Sequence, residues 1–285
     1  MNPYHQFVAE YARLAQEGKD YPLGKFPRCP RPQLAPDAPK VLIFSPHPDD
    51  EVIIGALALR LLRESKWNVI NVAVTQGSLK ERRCERLEEL EACCDHVGFG
   101  LLQTAADGLE NVNVKTRERT PELWAQSVKV TADILSAQRP RVVFVPHDDD
   151  GHSTHIGTHY LVLDALASLP AEFSCFVVET EFWRAMSSPD LMVEVSARDL
   201  GDLVTALSFH AGEVRRNPYH LTLPAWMLDN VRRGAELVGG QGGAAPGFTF
   251  GTLYCLRRWR NGKLEKISGK KLLSVRDDPA GLFQS

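Results

Sequence analysis

Hydrophobic positions along the chain fall into two alternating patterns. The short all-apolar run 41–44 (VLIF), bounded by polar residues, has the form of a strand buried on both faces of a parallel sheet, and 141–145 (RVVFV) is another buried strand. Residues 69–75, 99–103 and 173–179 supply further strand candidates. Between these runs the apolar spacing becomes helical. In 51–64 the residues Ile54, Leu57, Ala58, Leu61 and Leu62 share one face, and 79–96 is dense in Glu and Arg at pairable spacings. Residues 121–138 begin with a proline suited to a first helical turn, and 154–169 form another helix. The segment 104–120 reads as a polar loop. Strands alternating with helices at this spacing predict βαβ units with right-handed crossovers. The expected fold is α/β: a Rossmann-like, doubly wound, mainly parallel sheet ordered 3-2-1-4-5, with helices on both faces.

The two ends of the chain depart from this rhythm. Phe7, Val8, Tyr11 and Leu14 predict an amphipathic helix over 3–16, and six prolines between Pro22 and Pro39 hold the following arm extended. Beyond Trp183 the pattern is mixed: a strand over 191–196, helices over 200–209 and 226–237, and a glycine-rich loop over 239–247. A hairpin turning at Asn261-Gly262 closes the chain. The 285 residues are enough for two domains, yet the pattern reads as one. Residues 1–39 form a helix and arm, 40–190 the core, and 191–285 a C-terminal α+β elaboration of the same domain.

Composition narrows the function classes. The chain has 33 Lys+Arg against 36 Asp+Glu, a net charge of −3, and 44% hydrophobic residues, which argues against disorder and against a nucleic-acid partner. No apolar run reaches the roughly 18 residues of a membrane helix, since the best, 52–62, is interrupted by Arg60. The N-terminus lacks the apolar stretch of a secretion signal. Six cysteines without a CxxC pair read as reduced, buried thiols. A cytoplasmic protein without membrane contact is expected, and the arm is long enough to reach across a neighbouring subunit of a homo-oligomer.

Two segments carry candidate chemistry, each just after a buried strand. The first is His47-Pro48-Asp49-Asp50-Glu51. The second runs from His147 through three aspartates to Gly151-His152-Ser153-Thr154-His155, with His159 one turn further. In the expected strand order, both lie at the switch point where ligands bind. The turn after the first strand has no glycine, so a dinucleotide is a poor fit. Imidazole with carboxylate suits Zn²⁺, with Fe²⁺ or Co²⁺ as alternatives, whereas Mg²⁺ prefers oxygen ligands. A catalytic zinc site uses three protein ligands and leaves a position for water, so the candidates outnumber the ligands needed. Asp49 and Asp50 can divide the work, one binding metal and the other taking a proton. They can equally cap the helix that Asp50-Glu51 opens. His159 rivals His152, and three successive acids more often make a solvated loop than three ligands.

These motifs carry a resemblance. VLIFSPHPDDEVIIGALALRLL, then Thr75-Gln76-Gly77-Ser78, then Gly151-His152-Ser153-Thr154-His155 resemble the PIG-L/LmbE family of zinc-dependent N-deacetylases, from about residue 40 to 169 or somewhat beyond. The resemblance implies His47, Asp50 and His155 as metal ligands and Asp49 as general base. It implies His152 as a cationic stabiliser of the oxyanion, and it makes His159 a packed or supporting residue. HSTH stands here where the family usually has HPDH. The resemblance also implies substrate binding by Arg86, by Asp107 of Asp107-Gly108, and by His210 near the C-terminus. From the residues alone, a surface ion pair for Arg86, a plain turn for Asp107-Gly108 and a core or surface histidine at His210 are equally open.

The expected reaction is amide hydrolysis of an N-acetylated amino sugar or its conjugate, using metal-activated water with Asp49 as base. Two other classes compete: a two-metal phosphoester hydrolase, and a non-catalytic carbohydrate-binding protein. Pocket walls are expected from loops 79–83, 104–120, 183–189, 217–224 and 239–247.

Overall fold

A computed structural model describes residues 2–284, beginning with α1 (Pro3–Glu17). Asn2 caps this helix and none of its residues is buried. The proline arm then lies along the core, where Arg28 and Arg31 pair with Asp95 and the Cys29 amide donates to the His96 carbonyl.

The core starts at β1 (Lys40–Ser45). Its side chains alternate between two faces: Val41 and Ile43 enter one hydrophobic cluster, Leu42 and Phe44 the other, and all four are at most 1% exposed. Burying each stabilises by about 1.5–3 kcal/mol, and this explains why the strand reads as an unbroken apolar run rather than an alternating one. The next stretch, expected as one helix, is two: α2 (Asp50–Ile53) and α3 (Ala56–Arg63). The chain turns at Ile54-Gly55, where a Cβ on Gly55 would lie 2.3 Å from the Glu51 carbonyl oxygen. Arg60, the residue that broke the apolar run, is fully buried, with its guanidinium bonded to Glu64 and to the carbonyls of Glu194, Ser274 and Asp277.

Then follow β2 (Asn68–Ala73), α4 (Arg83–Val97, closed by left-handed Gly98) and β3 (Gly100–Gln103). The expected polar loop contains a helix, α5 (Val114–Arg119). The Asn113 side chain accepts from the Thr116 amide and so caps a segment too polar to announce itself. α6 (Pro121–Gln138), β4 (Val142–Pro146), α7 (Ser153–Ala167) and β5 (Cys175–Thr180) complete the parallel half. α3, α4 and α8 (Ala197–Leu207) cover one face, while α6 and α7 cover the other.

The C-terminal part continues the same sheet. β6 (Leu191–Val195) leads into α8, α9 (Ala211–Arg216, not anticipated) and α10 (Tyr219–Leu237), and then β7 (Phe250–Arg260) and β8 (Lys263–Lys266) form the hairpin. Asn261 and Gly262 both have positive φ at its turn, the backbone that Asn-Gly favours. β9 (Lys271–Leu273) adds a short edge strand parallel to β6. The full order is β3-β2-β1-β4-β5-β7-β6-β9, with β8 on β7. β1 to β5 are parallel in the expected 3-2-1-4-5 order, and β7 runs antiparallel to both β5 and β6. No described helix is long and apolar enough to cross a membrane.

Candidate active site

β1 and β4 are neighbours at the switch point, so the loops at their carboxyl ends face one crevice. The first loop is shaped by its own acids. The Asp50 carboxylate accepts from the His47 amide at 2.9 Å, and the Glu51 carboxylate accepts from the Asp49 amide at 2.9 Å. Thr75 braces the loop by donating its hydroxyl to the Pro46 carbonyl. Asp49 itself is held at φ 113°, a conformation that costs a non-glycine residue about 1–3 kcal/mol.

The structure brings His47, Asp49, Asp50, His152 and His155 together. Asp50 Oδ2 lies 3.4 Å from His47 Nδ1 and 3.3 Å from His155 Nε2. The rings of His47, His152 and His155 have centroids 5.0–5.3 Å apart, and their donor atoms lie within 4.8 Å of one another. His155 Nε2 is buried with no hydrogen-bond partner, aimed at this centre. Donors with bonds of 2.0–2.1 Å to one tetrahedral ion stand about 3.3–3.4 Å apart, the spacing of the His47–Asp50 and Asp50–His155 pairs.

Behind His155 stands Asp150, which sequence reasoning placed in a solvated acidic loop. It is 1% exposed, and its carboxylate lies 3.2 Å from His155 Nδ1. The same carboxylate accepts from the amides of Phe182 and Trp183, fixing the loop that carries both rings. Only Asp148 and Asp149 are solvated, Asp149 beside Arg184. The other two histidines of this segment are committed elsewhere. His147 Nε2 bonds the Arg184 carbonyl at 2.9 Å, and His159 Nδ1 bonds the Pro146 carbonyl at 2.8 Å.

These placements set the charges. Burial would raise Asp50, but the neighbouring His155 and His47 outweigh it and hold its carboxyl well below the usual range. Burial would lower His155, yet Asp50 and Asp150 push it up to about 10 when no ion competes for its lone pair. Burial, with the Asp50 charge beside it, pushes Asp49 up to about 7, while His210, Arg86 and the Tyr219 hydroxyl pull the other way. Tyr219, from α10, donates to Asp49 Oδ2 at 2.6 Å. Burial, followed by the charges of His47 and His155, lowers His152 from its ordinary value. Its Nδ1 accepts from the Thr154 amide, which leaves the proton on Nε2 as a neutral donor.

A cleft of about 790 Å³ opens over His47, Asp49, Asp50 and His152. Lys80, Arg83, residues 109–113, Phe182, Trp183, Asn217 and Tyr219 line it, so four of the five expected wall segments contribute and 239–247 does not, although 219–224, expected as loop, is the start of α10. Trp183 stacks on His152 with ring centroids 5.4 Å apart, yet stays 60% exposed at the mouth. Arg86 reaches the cleft wall, but its guanidinium also donates to the Pro48 carbonyl and packs on Gly77, where a Cβ would lie 2.2 Å from Nη1.

Two expected substrate contacts are corrected. Asp107 is exposed and does not line the cleft, because Gly108 docks against Thr75 with positive φ and turns the aspartate outward. His210 is fully buried and also absent from the lining, because its Nε2 bonds Glu51 at 2.8 Å beneath the loop.

Residues 42–166 match the family PIG-L, described as GlcNAc-PI de-N-acetylase. Over this core the chain is similar to the PIG-L family. No curated protein matches it. Solved structures share its fold at low identity. The conserved protein TT1542 from Thermus thermophilus is 20% identical over 75% of this chain and 92% of its own, with a TM-score of 0.56. N,N'-diacetylchitobiose deacetylase from Pyrococcus horikoshii is 18% identical over 88% and 92%, with a TM-score of 0.55. GalB, the 4-carboxy-2-hydroxymuconate hydratase from Pseudomonas putida KT2440, is 14% identical over 76% and 95%, with a TM-score of 0.56. At such identities the likeness establishes the fold, and the chemistry of this chain must be argued from its own residues.

Proposed function

We propose that the protein is a metal-dependent N-deacylase that hydrolyses the acetyl amide of an N-acetylated amino sugar or its conjugate. The observation that carries this reading is the approach of His47 Nδ1 and His155 Nε2 to Asp50 Oδ2, at 3.4 and 3.3 Å, with Asp49 beside them on the cleft. The description of the matched family and the diacetylchitobiose deacetylase among the structural neighbours support an acetylated sugar as substrate.

His47, Asp50 and His155 would hold a zinc ion, with Fe²⁺ or Co²⁺ able to use the same donors. Such an ion supplies a Lewis acid that acidifies water and polarises an amide carbonyl. Asp150 fixes the tautomer and direction of His155 by taking its Nδ1 proton as a hydrogen bond. Asp49 accepts the proton of the attacking water, and its raised affinity for protons suits it to return that proton to the leaving amine. His152 donates its Nε2 hydrogen to the developing oxyanion, a role that a neutral imidazole of fixed tautomer can fill. Phe182 and Trp183 close the apolar side of the cleft, and Trp183 offers an open ring face to a sugar. All six cysteines are unpaired, in keeping with the reducing cytoplasm we assign.

Elemental analysis with an acetate-release assay on N-acetylglucosamine derivatives tests the reading. One metal ion per chain with acetate release is expected. Asp49→Ala keeps the metal and loses turnover, while His155→Ala loses the metal. Two ions per chain with aryl phosphatase activity would instead mark a phosphoester hydrolase, and sugar binding without acetate release a non-catalytic protein.

A further inference from the structure

A second cluster lies beneath the first loop and the reaction above makes no use of it. Glu51, Cys93 and His210 come from α2, α4 and the junction between α8 and α9, and all three are fully buried. Glu51 Oε1 receives the His210 Nε2 hydrogen at 2.8 Å and the Cys93 thiol at 3.1 Å. Glu51 Oε2 receives the Asp49 amide at 2.9 Å. The carboxylate therefore has three donors, which is what a buried charge needs if it is not to destabilise the fold.

Three such groups also have the composition of a metal site, and their donor atoms lie within 4.8 Å of one another. The distances decide against an ion. A tetrahedral site with bonds of 2.0–2.1 Å spaces its nitrogen and oxygen donors about 3.3 Å apart, and more for sulfur. The His47–Asp50 and Asp50–His155 donor pairs meet that spacing, whereas His210 and Glu51 at 2.8 Å are at hydrogen-bond distance. Burial and the Glu51 charge also keep the Cys93 thiol protonated, by raising it well above its ordinary range.

We propose that Glu51, His210 and Cys93 form a buried hydrogen-bonded clamp that holds the Asp49 main chain in its strained conformation and so aims the Asp49 carboxylate into the cleft. None of the three touches the substrate; they are positioning residues. Their need follows from the backbone: Asp49 at φ 113° relaxes unless something outweighs its strain, and among the described residues the only side-chain bond to its amide comes from Glu51. Glu51 in turn is oriented by two donors from segments 42 and 159 residues away in sequence. The carboxylate end is fixed separately by Tyr219.

The value of the clamp for catalysis rests on Asp49 being the base proposed above, so the test includes a readout that does not. In ¹H–¹⁵N spectra of the full-length protein, the Asp49 amide proton, bonded to a buried carboxylate, should resonate far downfield. Cys93→Ala and His210→Leu should move it toward the ordinary range, and Cys93→Ser and His210→Gln, which keep a donor, should restore it. In acetate release, His210→Leu should lower kcat by about 100-fold, as misplacing a reacting group by an ångström does. KM and zinc content should stay at wild-type values, and His210→Gln should recover most of the rate. An unmoved Asp49 amide in both Cys93→Ala and His210→Leu would overturn the clamp, whether or not the protein deacetylates anything. So would a second equivalent of zinc that disappears in Cys93→Ala. If the wild type releases no acetate while the amide shifts behave as described, the clamp stands and the deacylase reading falls.

Discussion

Replacing Asp150 by Asn removes one buried charge with almost no change of shape, and its consequences can be worked out atom by atom. Oδ1 faces His155 Nδ1 at 3.2 Å and the Trp183 amide at 3.3 Å, while Oδ2 accepts from the Phe182 amide at 3.0 Å. An asparagine can put its oxygen on one side only, so a donor on the other side loses its partner. If the oxygen stays toward His155, that bond survives as a neutral one, weaker by about 1 kcal/mol, and the Phe182 amide meets an NH₂ group at a cost of about 1–3 kcal/mol. A weaker carboxylate behind a metal-binding histidine lowers metal affinity by about 10–100-fold, equivalent to about 1.4–2.8 kcal/mol. Competition against a chelator of known affinity measures this directly. Asp148→Asn, an exposed neighbour two residues away, serves as the control and should match the wild type. The Phe182-Trp183 loop loses an anchor too, so Trp183 emission should change in Asp150→Asn even without metal. Zinc held by Asp150→Asn as tightly as by the wild type would refute the assignment of His155 as a ligand oriented by Asp150.

Three further outcomes follow from the same geometry. Tyr219→Phe removes a hydrogen bond that lowers Asp49, so the acid limb of kcat/KM should move to higher pH by about 0.4–1 unit; a profile that stays put or moves to lower pH contradicts the contact. His152→Ala should lose about 10²–10³ in kcat with its zinc content intact, whereas parallel loss of zinc would make His152 a ligand. In metal-free protein, His155 is raised from 6.5 to about 10, so its contribution to stability is complete below about pH 6.5 and is lost as pH rises toward 10. Tm of the metal-free protein should therefore fall across that window, and zinc-loaded protein, where the ion takes the proton's place, should not show the fall; identical profiles would contradict the pairing.

Much of the architecture could be read in advance because burial on both faces leaves a plain mark. The apolar runs at 41–44 and 141–145 could be little else, and the bounds of α6 are those its proline and apolar spacing indicate. The misplaced elements are those whose cause is not hydrophobic. α5 depends on one capping asparagine, and the break between α2 and α3 depends on Gly55. The centre of the site was visible because His47, Asp49 and Asp50 sit in one motif and His152 and His155 in another. Its supports were not. Tyr219 meets Asp49 across 170 positions of sequence, and Asp150 looked like its solvated neighbours until the fold turned it inward. A sign was there, since Asp150 alone of the three aspartates directly precedes the Gly151-His152 turn. His210 shows the opposite error: a histidine near the site, assigned to the substrate, whose ring bonds Glu51 from the buried side.

The central claim is that this cleft uses one metal ion and Asp49 to add water to an acetyl amide. Its most direct test is to load the protein with one equivalent of zinc, supply an N-acetylglucosamine glycoside in ¹⁸O-water, and weigh the acetate released by mass spectrometry. The account predicts acetate carrying one ¹⁸O, in equal amount to the free amine, and none from Asp49→Asn at the same zinc content. Acetate release undiminished in Asp49→Asn, or a zinc-loaded wild type that releases no acetate from any such glycoside, would contradict it.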